Sequence, residues 1–313
     1  MAHLKPPSPH DHPAHSTKLL AKIEVCLVNP RHVKNVPGRK TDVMDCQWLQ
    51  YLHSVGLLRG AFRPAAEVRG VRALWRQRDA LVRHSSWHIQ HVHQALDQMN
   101  LQVHHVLADI TGQTGTAIVA AILQGERDPV TLARHRDQRV KASAATLVKA
   151  LTGDYRAEHL FCLGQAFAGY QFLQKQIAEL DVEIERRLNE LAPPAPAAPP
   201  ALGTAPAAAA PKRKAAGKSA PAFDAYGLLA RLHGVDLCAV PGINVLTAQT
   251  LWSELGGDLS AFPTAKHLAS WLGVCPDNRI SGGKILAART KPTTNRVARA
   301  LRMPGIAISR LTC

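Results

Sequence analysis

Residues 1–17 are rich in Pro, His and Ser and show no apolar periodicity, so residues 1–18 are expected to be a disordered tail, with order beginning near Leu19. Ile23-Glu24-Val25-Cys26-Leu27-Val28 reads as a short buried strand that stops at the Asn29-Pro30 turn. A basic loop follows, Arg31 to Lys40, interrupted by Pro37-Gly38. Thr41 or Asp42 then caps a helix expected to run to about Val55. One strand leaves its backbone groups unpaired, so residues 19–62 read as part of a domain rather than a whole one.

The longest pattern comes next. Val68, Val71, Trp75, Val82, Ile89, Val92, Leu96, Met99, Val103 and Val106 recur at alternating spacings of three and four, with Arg78 and Ser85 as polar defects on the same stripe. This spacing predicts a helix from Val68 to Val106. A second seam runs through Tyr170, Leu173, Ile177, Leu180, Ile184, Leu188 and Leu191. Between the two, shorter helical pieces are expected to break at Gly112, Gly115, Gly125 and Pro129. Two long seams joined by a compact insert predict an antiparallel coiled-coil arm over residues 63–191; two core helices of an ordinary bundle fit the same spacing. Ala and Pro dominate residues 192–222, with Lys212-Arg213-Lys214 inside them, which reads as a semi-rigid linker. A last domain then fills 223–313.

Composition narrows the function. With 46% hydrophobic residues the chain can bury a core, which excludes global disorder. No apolar run approaches the ~18 residues of a membrane-spanning helix, so no membrane partner is expected. Lys and Arg number 38 against 23 Asp and Glu, a net charge of +15, which points to a polyanion, nucleic acid first. The six cysteines form no C-x-x-C pair, which argues against zinc ribbons, redox motifs and a disulfide framework. Met1 to His15 lacks the apolar stretch of a secretory signal, so the expected compartment is the reducing cytoplasm.

Three constellations could carry chemistry. Asp42 and Asp45, at i and i+3, share one helix face and could ligate a divalent cation such as Mg²⁺. Acids in a first helical turn are also what the helix dipole favours. Lys34, Arg39 and Lys40 just before them would supply positive charge for a phosphodiester backbone. Leu237-Cys238-Ala239-Val240-Pro241-Gly242-Ile243-Asn244 resembles a helix–hairpin–helix, whose hairpin amides point at a phosphate, with Asn244 in place of a second Gly and able to tolerate positive φ; a plain helix–turn–helix corner fits as well. Beyond Asn278 the chain carries Arg279, Lys284, Arg289, Lys291, Arg296, Arg299, Arg302 and Arg310 and no acid. Within that stretch, Ser281-Gly282-Gly283-Lys284 offers a sterically open hydroxyl among cations, suited to a nucleophile; a hairpin turn explains the same four residues. His84, His88 and His91 recur at helical spacing, and His104-His105 lies nearby, but no Glu completes an H-E-x-x-H pattern, so they read as solvated helix faces.

Val28-Asn29-Pro30-Arg31-His32-Val33-Lys34-Asn35-Val36-Pro37-Gly38-Arg39-Lys40-Thr41-Asp42-Val43-Met44-Asp45 with Trp48-Leu49 closely resembles the DEDD insertion-sequence transposases of the one-ten family. Val240-Pro241-Gly242-Ile243, Phe262-Pro263, His267-Leu268-Ala269-Ser270-Trp271-Leu272-Gly273, Cys275-Pro276 and Ser281-Gly282-Gly283-Lys284 resemble its C-terminal region, in the same order. The resemblance implies a mainly α chain: part of a RuvC-like (RNase H-like) α/β domain over 19–62, the helical arm, and a mostly helical C-terminal domain with the hairpin motif. It implies a DNA recombinase in which four carboxylates hold divalent metal and a serine attacks the DNA. A structured guide RNA would direct it, and copies could associate through the arm. Asp42 and Asp45 match the last two carboxylates and Ser281 the serine. The first Asp and the Glu have no counterpart: Asp11 lies in the Pro-rich tail and Glu24 lies beyond the Glu position. The chain is therefore expected to be a truncated transposase, and two functions stay open: DNA cutting and joining, or nucleic-acid binding by an inactive remnant.

Overall fold

The computed structural model describes residues 26–28, 42–58, 60–194, 219–276, 278–288, 290 and 293–311. They are mainly helical, and the chain divides into two compact units, Met1–Arg63 and Pro64–Cys313. No helix among the described residues is long and apolar enough to cross a membrane.

In the first unit, helix α1 spans Asp42–Ser54, matching the helix expected from Asp42 to about Val55. Trp48 and Tyr51, three residues apart on one face, stack with ring centroids 5.6 Å apart. The strand expected at Ile23–Val28 is described only from Cys26. Val28 forms an isolated antiparallel bridge with Gly60, and the Ala61 amide donates to the Leu27 carbonyl at 2.6 Å. Cys26 and Leu27 are exposed rather than buried, because among the described residues one short bridge is all that pairs with them.

The second unit is built on two long helices, α2 (Ala66–Gln98) and α7 (Ala157–Leu191). They run antiparallel. Val68, Val71 and Trp75 pack with Ile184 and Leu188, Leu81 with Leu173 and Ile177, and Val92, Ala95 and Leu96 with Leu163, Ala166 and Phe167. The polar defects on the first stripe are both buried and both answered from α7. Arg78 binds Asp181, and Ser85 Oγ accepts from Gln174 Nε2 at 2.8 Å.

The helix predicted to reach Val106 ends at Gln98. Asn100 adopts φ 56°, a left-handed conformation that Asn tolerates. Met99, Leu101 and Val103 are fully buried, so the turn directs them into the core of the insert instead of along α2 and α7. The insert comprises α3 (Val103–Val106), α4 (Gln113–Leu123), α5 (Pro129–Ala133) and α6 (Ala144–Ala150). Pro129 sits at the start of α5, where Asp128 caps the amides of Val130 and Thr131. Gly115 does not break a helix. It lies inside α4, where a Cβ would come 2.1 Å from the Ile110 carbonyl oxygen, so the glycine permits a close backbone approach.

The C-terminal part contains α8 (Ala225–His233), a 3₁₀ turn (Leu237–Ala239), α9 (Val245–Leu255), α10 (Ala265–Leu272), a hairpin of β1 (Arg279–Ser281) and β2 (Lys284–Ala287), and α11 (Arg296–Leu311). Polar anchors dock α9 on α2. Trp75 Nε1 donates to Thr250 Oγ1 at 3.2 Å, Arg72 donates to the carbonyls of Ser253 and Glu254, and Arg76 grips the Glu254 carboxylate at 2.8 and 2.7 Å. The Glu254 hydrogen bond holds the Arg76 guanidinium above its ordinary pKa, whereas burial lowers that of Arg72. Most of residues 192–222, the expected linker, lie outside the described residues. The last four, Ser219 to Ala222, are tied to the helix pair: Arg78 donates to the carbonyls of Ser219 and Ala220, and the Ala222 amide donates to Asp181.

Candidate active site and nucleic-acid interface

Asp42 opens α1, and the described side chains begin at Asp45, which is exposed. Lys34, Arg39 and Lys40 lie outside the described residues. Among the described residues no three His, Cys, Asp or Glu side chains gather as a metal-binding group. One exposed carboxylate does not make a divalent site, which takes several oxygen ligands around the ion. The described side chains therefore do not fit a metal centre by themselves. Asp42 and Asp45 belong to the first unit and Ser281 to the second.

Ser281 ends β1, paired in register with Lys284 of β2. Gly282 and Gly283 between them have φ 55° and 75°, and a two-residue hairpin turn with positive φ at both positions strongly favours glycine. Nothing lies within 4 Å of where a Cβ on either glycine would sit. Ser281 and Lys284 are both exposed, so the hairpin presents a hydroxyl and an ammonium together at an open tip. Arg279 belongs to β1, though its side chain is not among those described, and Arg289 and Lys291 fall outside the described residues.

The Leu237–Asn244 segment is a 3₁₀ turn leading into a tight bend. Asp236 caps the turn by accepting from the Cys238 amide at 2.9 Å, and the Ile243 amide closes the bend on the Val240 carbonyl at 3.1 Å. Gly242 has φ 85°, and a Cβ there would come 2.7 Å from Pro304 Cα and 2.9 Å from Ala307 Cβ of α11. One side of the bend is thus closed by α11. Asn244 does not use its tolerance of positive φ. Its φ is −105°, and its Oδ1 accepts from the Thr247 amide at 2.9 Å and the Thr247 hydroxyl at 3.0 Å, capping α9.

Arg296, at the start of α11, donates to Asp79 of α2 at 3.0 Å. Arg83, one turn along α2, reaches the same carboxylate at 3.4 Å. They line a cleft of about 340 Å³ with Arg78, Arg299 and Thr250. Of these residues Arg296 is among the expected nucleic-acid contacts, and Arg299 belongs to the basic tail. Asp79 and Arg83 carry no motif, and their i, i+4 spacing resembles that of any solvated helix face. Trp87 packs edge-on to His91 and His88 lies against Gly169 of α7, while His104 lies 5.3 Å from His93 and 4.0 Å from His105 between ring centroids; among the described residues none of these makes a metal-binding group.

A family model described as Transposase IS116/IS110/IS902 family matches residues 236–312, and a transposase model of the DEDD type of IS110 matches residues 10–101. The chain belongs to this family of insertion-sequence transposases. The first match takes in the bend at Gly242, the Ser281 hairpin and α11; the second takes in α1 with Asp42 and Asp45 and all of α2. Transposases of this family act on DNA, and the DEDD type typically uses a divalent metal. No curated protein and no solved structure matches the chain.

Proposed function

We propose that this transposase cuts and joins DNA with Ser281 as its nucleophile. The observation that carries the reading is the open Ser281–Lys284 hairpin, lying within a region matched to the transposase family. Ser281 Oγ attacks a phosphodiester phosphorus. The Oγ–P bond forms, one P–O bond to the leaving deoxyribose breaks, and the leaving oxygen takes up a proton in place of the one the serine loses. A deoxyribose hydroxyl of a second strand then attacks the phosphoserine, restoring the free serine and joining the strands. The Lys284 ammonium, cross-strand to Ser281, favours the alkoxide and attracts the phosphate. Gly242, Asn244, Arg279, Arg289, Lys291 and Arg296 would bind the nucleic acid, and Lys34, Arg39 and Lys40 would bring it to α1.

The same reading takes residues 19–62 as RuvC-like, residues 63–191 as a coiled-coil arm able to join two copies, residues 192–222 as a linker, and residues 223–313 as a domain whose bend is a helix–hairpin–helix. A structured guide RNA would choose the DNA. Asp42 and Asp45 would contribute to Mg²⁺ binding, but two carboxylates do not complete such a site. That acid count favours a second reading, in which the chain binds nucleic acid without cutting it.

The test incubates the full chain, and its Ser281→Ala variant, with the element's DNA ends, its structured RNA and Mg²⁺, and looks for a covalent protein–DNA band. A band that disappears in Ser281→Ala carries the first reading. Retained binding with no band from the parent chain carries the second. A band persisting in Ser281→Ala removes the serine from the reaction.

A further inference from the structure

The cleft between α2, α9 and α11 gathers four guanidinium groups and one carboxylate, Asp79. Arg78 is neutralised by buried Asp181 and spends its remaining donors on the Ser219 and Ala220 carbonyls, so it forms a wall and holds the end of the linker beside the cleft. That leaves Arg83, Arg296 and Arg299 against Asp79 alone. Three positive charges around one negative charge, drawn from two elements, leave an excess of two.

The floor offers a ligand little else. The Trp75 indole N–H is used by Thr250, and the Thr250 hydroxyl donates to the Leu246 carbonyl. Val82 and Leu246 are apolar. The donors left for a ligand are thus guanidinium groups, which suit phosphate oxygens, and contacts to phosphate carry no sequence information. Arg83 and Arg299 are exposed, whereas Arg296 is largely covered.

We propose that this cleft is a sequence-independent seat for the phosphodiester backbone of a nucleic-acid strand, with Asp79 as its internal counter-ion. The proposal rests on the nucleic-acid reading above and adds a site to it. With the cleft empty, Asp79 holds Arg83 of α2 and Arg296 of α11 together. A bound phosphate competes with that carboxylate for both arginines, so Asp79 preorganises the site and also opposes occupancy. Because the seat lies beside Ser219, a strand held there runs past the point where the linker joins the helix pair.

The test measures fluorescence polarisation of two labelled probes with the full chain over a range of salt: a duplex DNA and a single-stranded RNA, each of about 20 nucleotides per strand and of arbitrary sequence, long enough to show a salt slope. Arg83→Gln with Arg299→Gln should weaken binding by roughly tenfold or more at low salt. It should also make the log–log salt slope shallower by about 1.8 for duplex or about 1.4 for single strand. Asp79→Asn should tighten binding severalfold even though it removes two ion pairs. The probe whose slope changes identifies the strand that occupies the cleft. Unchanged slopes in the double variant, with the parent binding normally, would overturn the seat alone. Weaker binding by Asp79→Asn, in step with a lower melting temperature, would reduce Asp79 to a structural tie and overturn it too. A parent chain that binds neither probe would overturn the nucleic-acid reading, and the seat with it.

Discussion

Arg78 and Asp181 meet across the helix pair as a buried two-pronged ion pair, Nε to Oδ1 at 2.5 Å and Nη2 to Oδ2 at 3.1 Å, each residue 3% exposed. Each partner also holds the Ser219–Ala222 segment, Arg78 through two carbonyls and Asp181 through the Ala222 amide. The pair has its remaining polar groups satisfied, the condition under which a buried charge is tolerated. It also marks register, since sliding one helix by a turn would leave both charges buried without partners.

Arg78→Met should therefore destabilise the protein by about 3–5 kcal/mol, because it strands the Asp181 carboxylate in the core. Asp181→Leu should cost a similar amount. The double variant should lose much less than the sum, since no charge is left unpaired. Urea unfolding of the four proteins closes the cycle; additive losses would contradict the coupling. The double variant should also be cut faster by protease near Ser219, because the Ser219–Ala222 segment loses its anchors.

Gly242→Ala should cost roughly 2 kcal/mol or more, combining strain at positive φ with overpacking against α11. The added Cβ would sit 2.7 Å from Pro304 Cα, a backbone atom that cannot swing aside. Thermal melting measures the effect, and a midpoint equal to that of the parent would refute the close packing of the bend on α11.

Asn244→Ala should lower stability by about 1 kcal/mol through loss of the α9 cap, and Asn244→Ser should recover most of it. The pair separates capping from binding. If Asn244→Ser restores stability and nucleic-acid affinity together, Asn244 acts as a cap. If stability returns and affinity does not, the amide itself contacts the ligand.

Stability should fall as pH drops below the ordinary histidine value of 6.5. Burial lowers the pKa of His233, against the opposing effect of the Ala248 carbonyl 3.1 Å from its Nε2. Burial, reinforced by repulsion from His104, lowers that of His93, against the pull of Asp97. Between 6.5 and the lowered native values, the unfolded chain binds protons that the native chain refuses. Their contribution is complete above pH 6.5 and is lost as pH falls through the native values. His233→Gln should flatten that acid-side loss in melts from pH 7.5 to pH 5, a window chosen to span the histidine titration; an unchanged slope would exclude His233 as a source.

The Ser281 hairpin was legible because its signal is local. Ser281-Gly282-Gly283-Lys284 contains the two glycines that a tight hairpin favours, and the structure forms that hairpin with both at positive φ. The Asp42 start of α1 was legible for the same reason. The cleft at Asp79 was not. Asp79 and Arg296 are 217 positions apart and meet only when α11 returns to α2.

The spacing of apolar residues by itself determined that two long helices exist and which stripe each one buries, because a 3.6-residue period places those side chains on one face whatever surrounds them. Only the tertiary structure decided the fate of the exceptions on those stripes. Arg78 and Ser85 read as defects until Asp181 and Gln174, 103 and 89 positions away, come to meet them. Gly115 read as a break until the Ile110 carbonyl came too close for any other residue, and the first stripe ran on to Val106 until Asn100 turned Leu101 and Val103 into the core of the insert. A local pattern encodes a preference for helix and for burial. Whether a buried polar group is satisfied, or a backbone can approach, depends on partners distant in the chain, and these the fold alone brings together.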